Sequence, residues 1–203
     1  MKNLTSIINH VISKEYGFKH IIEAGNQILN EQNEDHFQLA VDFITANDYQ
    51  VRMLATYILG QLSPKHPESL KMLKEKISLD PNWRVQEMLA KSFDYYCSVS
   101  GYEKSLPEIE TWLSDPNANI RRAVIEGLRI WTGRPYFKDH PEKAIALISK
   151  HKADDSEYVR KSSGNALRDI SKKHPEMIAT ELSGWDLEDK KTLLTYKLAT
   201  GKK

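Results

Sequence analysis

The sequence predicts an all-α fold, a right-handed α-α superhelix of about six stacked helical hairpins. Three observations predict it. No stretch of the 203 residues alternates with the period of two that a strand needs, while apolar residues recur at helical spacing almost throughout. Four segments repeat one pattern, an acidic or Asp-Pro-Asn turn followed by a β-branched residue and then Arg or Gln: Val51-Arg52, Val85-Gln86, Ile120-Arg121 and Val159-Arg160. These dipeptides are 34, 35 and 39 residues apart, a period that fits stacked helix pairs of the HEAT-like type.

The elements follow in order. Helices at 4–13, 18–31 and 35–46 rest on apolar periodicity. Helix 49–62 carries the first repeat segment. Helix 66–78 opens at His66-Pro67-Glu68, where proline suits the first helical turn and glutamate suits the positive end of the helix dipole. Asp80-Pro81 is read as a capping acid and proline that start helix 83–98, and Asp115-Pro116 as the same device for helix 117–132. Helix 104–114 lies between them. The His-Pro-Glu start recurs at His140 for helix 141–151 and at His174 for helix 175–182. Helix 156–172 holds the fourth repeat segment. Residues 186–203 read as a polar capping helix, near 187–199, with a tail ending in Gly201-Lys202-Lys203. One repeat domain over 1–203 is expected, with no linker.

Composition excludes several classes of function. One cysteine, Cys97, rules out a disulfide framework and a cysteine-based metal site. No run is long and apolar enough for a signal core or a membrane span, so a soluble cytoplasmic protein is expected; it is also expected to be a monomer. No Gly-rich phosphate loop, metal-ligand spacing or nucleophile motif is present, and no cofactor is expected. The net charge is +1, split into −2 over residues 1–80 and +3 over 81–203. An anionic partner must therefore meet a local patch.

The repeat register assigns faces. With each β-branched residue as position zero, positions 0, +3, +4, +7, +8 and +11 form a mostly apolar stripe, read as core. The row at +2, +6 and +10 holds Glu87, Glu126 and Asp169 on three successive repeats, each one helical turn further along. Such a diagonal can bring three acids towards one pocket. Basic residues surround it: Arg84, Lys91, Arg121, Arg122, Arg129, Arg134, Arg160, Lys161 and Arg168. Aromatics close in register are Trp83, Tyr95, Trp131 and Tyr136. Solvated helix exteriors also carry such charges, and the Arg after the β-branched residue is often a structural ladder in such repeats.

Three segments resemble a known family. They are Trp83-Arg84-Val85-Gln86-Glu87, then Asn119 through Arg129 with Arg134-Pro135, then Tyr158 through Ile170 with Lys173-His174-Pro175. They resemble the HEAT-like-repeat DNA alkylation repair glycosylases, most of all the AlkC branch, over about residues 35–185. The resemblance implies a bacterial enzyme that excises cationic alkylated bases such as 3-methyladenine from double-stranded DNA. It implies that the acids Glu87, Glu126 and Asp169 are catalytic. Glu126 or Asp169 would activate water or stabilise the sugar cation, and Glu87 would assist through charge. Trp83, Trp131 or Tyr95 would contact the base through a ring face, and the nine basic residues above would hold phosphates. The chain departs from the family after Arg129, where Ile130 to Gly133 precede Arg134-Pro135. A non-catalytic nucleic-acid-binding module and a protein–protein scaffold are the other expectations.

Overall fold

The computed structural model describes residues 3–32 and 34–201. Among them the regular structure is thirteen α-helices and two 3-10 turns, with no strand. Lys202 and Lys203 of the expected tail lie outside the described residues. Packing divides the chain into two compact units, Met1–Val99 and Ser100–Lys203.

In the first unit α1 (Leu4–Ile12), α2 (Lys19–Leu29) and α3 (His36–Phe43) pack on α4 (Tyr49–Leu62), which also meets α5 (Pro67–Glu75). Because α4 has neighbours on most sides, Val51, Met53, Leu54, Ala55, Ile58 and Leu59 are all buried. A 3-10 turn, Ile77–Leu79, leads into α6 (Trp83–Ser100). There Ser92 donates to the Thr56 carbonyl at 3.0 Å. Gly60 makes that approach possible, since a Cβ on it would lie 2.4 Å from Ser92 Oγ.

The second unit holds α7 (Leu106–Leu113), α8 (Ala118–Gly127), α9 (Pro135–Asp139), α10 (Pro141–Ser149), α11 (Glu157–Ser171), α12 (Pro175–Ser183) and α13 (Lys190–Thr200). Here α11 is the hub, packed on α8, α10, α12 and α13. Gly164 lets α13 come close: a Cβ there would meet Leu198 Cβ at 2.6 Å and the Thr195 carbonyl at 2.8 Å.

The repeat turns work differently from the sequence reading. Asp80 and Asp115 do not cap their helices. Their carboxylates accept from the backbone N–H two residues on, Asn82 at 2.8 Å and Asn117 at 2.9 Å, closing an Asx turn around the proline. The asparagines are the helix-starting groups, accepting from Arg84 N–H and Asn119 N–H at 2.9 Å each. The prolines thus stand just before the helix. In the three His-Pro-Glu elements, Pro67, Pro141 and Pro175 are the first helical residues and the glutamates follow in the first turn. The histidine side chains make no cap bond.

The largest departure concerns the helix expected over 117–132. It stops at Gly127, and the chain continues through a 3-10 turn (Trp131–Gly133) and the short α9. The reason is burial. Trp131 and Phe137 are fully buried with ring centroids 4.9 Å apart, and Trp131 Nε1 donates to the Ile125 carbonyl at 3.1 Å. A helix continued to 132 would break that packing. Of the extra residues behind the 39-residue spacing, Trp131 therefore fills the core beside Phe137, while Ile130 stays 46% exposed.

The residue after each β-branched position is a structural hook. Arg52 reaches the Ala46 and Asn47 carbonyls, Arg121 those of Asp115 and Pro116, and Arg160 those of Asp154 and Asp155. Gln86 does the same work with one amide, donating to Ile77 and Asp80. Two arginines also join the next repeat: Arg52 pairs with Asp80 at 2.5 Å, and Arg121 with Asp154 at 2.7 Å. Both pairs are largely buried, with side chains 16% or less exposed.

This ladder predicts how stability follows pH. Burial raises the Asp154 carboxyl, but hydrogen bonds from Arg121 and the Ser156 N–H outweigh it and hold the group below the ordinary carboxylate range. Its contribution is present above the unfolded pKa of about 3.9 and is lost as pH falls through the folded value. His151, 3.3 Å from Asp154, is pushed down by burial, against the pull of that carboxylate. Its unfolded form takes up a proton first, so stability also falls as pH drops below about 6.5. Urea unfolding across pH is expected to show two windows of loss, with His151→Phe reducing the upper one, which His20 shares, and Asp154→Asn reducing the lower one, which Asp169 shares.

Candidate functional site

The first unit carries a polar and aromatic stripe along α6. Trp83, Glu87, Lys91 and Tyr95 stand four residues apart, so they share one helix face. Trp83 is 55% exposed, Glu87 and Tyr95 are half-buried, and Lys91 is exposed. Lys91 rests over the Phe18 ring at 5.1 Å. Glu87 has no hydrogen-bond or ion-pair partner among the described residues. Arg84, one residue past Trp83, is enclosed by rings: its guanidinium carbon lies 4.4 Å from the Trp83 centroid and 5.3 Å from each of Tyr16 and Tyr49. The register reading did not find Tyr16 or Tyr49. Tyr16 lies in the α1–α2 loop, outside any repeat segment, and only its Glu-Tyr-Gly-Phe context marks it.

In the second unit the structure brings Glu126 and Asp169 to one group, Arg129. Arg129 Nε is 2.7 Å from Asp169 Oδ2, and Arg129 Nη1 is 3.6 Å from Glu126 Oε2. Glu126 also accepts from Ser162 Oγ at 2.6 Å, and Asp169 pairs with Lys172 Nζ at 2.8 Å. Asp169 is 8% exposed. Burial raises its carboxyl, but Lys172 and Arg129 outweigh that and leave it below the ordinary range. The Asp169 hydrogen bond in turn raises the Arg129 guanidinium. The two acids expected to activate water or steady a sugar cation are thus already neutralised by bases, one of which was expected to hold phosphate.

The other expected residues divide between frame and surface. Arg121 and Arg160 are ladder hooks. Arg134 reaches back to the Gly127 carbonyl at 3.3 Å. Lys161 is exposed but paired with Glu157 at 2.6 Å. Arg122 and Arg168 are half-buried surface cations with no ion-pair partner among the described residues. Trp131, expected to contact a base, has no exposed surface and belongs to the core, so in this conformation it offers no ring face to a ligand. Among the described residues no cluster of three or more His, Cys, Asp or Glu could hold a metal ion, and no helix is long and apolar enough to cross a membrane.

Comparison with known proteins agrees on the fold. A family model described as DNA alkylation repair enzyme matches residues 19–181. The crystal structure of AlkD2 from Streptococcus mutans superposes with a TM-score of 0.93 at 46% identity, covering 98% of this chain and 96% of that one. That of smu.31 from Streptococcus mutans UA159 gives 0.89 at 44%, covering 97% of each. The alkylpurine DNA glycosylase AlkC of Pseudomonas fluorescens, bound to DNA containing an abasic site analog, gives 0.66 at 19%, over 98% of this chain and 60% of that one. The uncharacterized protein YhaZ of Bacillus subtilis is 34% identical over 87 residues, which take up 41% of this chain and 24% of that relative. Identity is higher to the AlkD2 chain than to AlkC, the branch that the sequence motifs favoured.

Proposed function

The chain belongs to the family of DNA alkylation repair enzymes, and from that premise we propose that it binds alkylated duplex DNA and releases cationic bases such as 3-methyladenine, with Glu87 as the acting carboxylate. The single observation that supports this is the contrast among the three acids. Glu87 is the half-buried carboxylate left without a partner among the described residues, one helical turn from the exposed Trp83. Glu126 and Asp169 are held by Arg129, Lys172 and Ser162.

The chemistry suits one carboxylate. A cationic alkylated base departs as a neutral molecule and needs no general acid. As the C1′–N bond breaks, its electron pair goes to the base and positive charge builds on the sugar, where a nearby negative group stabilises it; water then adds to C1′ and gives up a proton, leaving an abasic sugar. Glu87 supplies that charge. Trp83 presents a ring to the cationic base before it leaves, while Arg84, Lys91, Arg122 and Arg168 offer charge to phosphates. Free methylated purine released from alkylated duplex DNA by the wild-type chain is the direct test.

A second reading is favoured by the same ion pairs. With Glu126 and Asp169 neutralised, a chain that recognises alkylated DNA without cutting the bond would retain duplex binding and release no base.

A further inference from the structure

The aromatic cluster around Arg84 leaves two rings largely in solvent. Tyr16 is 69% exposed and Trp83 is 55% exposed. Their rings flank one guanidinium, with Tyr49 as a third neighbour. Tyr49 is anchored, since its hydroxyl donates to the Glu15 carbonyl at 2.6 Å and so ties the Tyr16 loop to the start of α4. Arg84 has no carboxylate partner among the described residues. Exposed rings beside a cation that has no ion-pair partner among the described residues suit a planar base with its phosphate on the Arg84 side, away from the Glu15 carboxylate that meets the Tyr16 hydroxyl.

We propose that Tyr16, Trp83 and Arg84 form a stacking platform for an unpaired nucleotide, so that this unit binds single-stranded DNA as well as duplex. Each base has a π face, so stacking on such rings tolerates any sequence. Arg84 contributes charge to the adjacent phosphate and lies near both rings. Lys91, two turns further along α6, provides a second cation on the Trp83 face. The choice of DNA rests on the functional reading above. The platform itself does not depend on base release.

The molecule carries its own reporter. Of its four tryptophans, Trp112 and Trp131 have no exposed surface and Trp185 is 7% exposed, so a base stacking on protein can reach Trp83 alone. Titration with an undamaged 15-mer of thymidylate is expected to quench tryptophan fluorescence, and Trp83→Phe is expected to remove the quench while binding persists by anisotropy. Tyr16→Ala should weaken the single strand by about tenfold and Tyr16→Phe should not. Arg84→Ala should lower the salt slope by about 0.7. No quench in the wild-type chain, or equal single-strand affinity of Tyr16→Ala and wild type, overturns the platform. Duplex binding without single-strand binding sinks this inference alone, whereas binding of neither also sinks the functional reading beneath it.

Discussion

Trp131→Ala is expected to destabilise the second unit by about 3–5 kcal/mol, the range for removing a large buried aromatic. The ring has no exposed surface, packs at a tilt against Phe137 with centroids 4.9 Å apart and gives its N–H to the Ile125 carbonyl. Truncation opens a cavity and leaves that carbonyl without its indole donor. Against a total stability of about 5–15 kcal/mol for a typical domain, the loss is a large share. Equilibrium urea unfolding measures it. A base-contacting Trp131 would give the reverse result, little change in stability and weaker DNA binding. Trp83→Ala is expected to behave in that reversed way, because its ring is mostly in solvent.

Glu87→Gln is expected to lower the rate of base release at least a hundredfold while leaving the melting temperature unchanged. The substitution keeps size and shape and removes the negative charge. Loss of a group that stabilises transition-state charge is worth about a hundredfold to a thousandfold. Stability should hold, since Glu87 has no partner among the described residues to leave behind. Asp169→Asn should do the opposite. Arg129 and Lys172 would lose their shared carboxylate, and because these bases are 36% and 67% exposed the effect is discounted to about 1–2 kcal/mol. Release by that variant should stay close to wild type.

How much of this was legible in the sequence depends on how local the cause is. The repeat could be read because its chemistry is contained in a few residues. Arg121 hooks the carbonyls five and six residues back, and Asp154 holds Arg121 one repeat later, so the same dipeptide returns at nearly the same spacing. The helix-starting acceptor lies two residues past the one the sequence suggests, since Asp80 and Asn82 are both good acceptors and sequence alone does not say which one faces the helix. Register also anticipated that Glu126 and Asp169 approach one another. It could not say that Arg129 would lie between them, because pairing depends on which rotamers the packed helices allow. The burial of Trp131 is legible, since it stands at +11 after Ile120 in the stripe read as core and is buried against Phe137. The register misses only that the helix ends at Gly127 and that Trp131 enters the core from a 3-10 turn, where no ring face is left for a base. Tyr16 was invisible to any periodic argument, because a loop residue has no register.

Under the proposed function, base release depends on Glu87, while Asp169 serves the frame. The most direct test is the single-turnover rate of methylpurine release from alkylated duplex DNA by wild type, Glu87→Gln and Asp169→Asn. The predicted result is release by wild type, a fall of at least a hundredfold for Glu87→Gln, and a rate within about threefold of wild type for Asp169→Asn. Release by Glu87→Gln at the wild-type rate, or an equal collapse in Asp169→Asn, would contradict it.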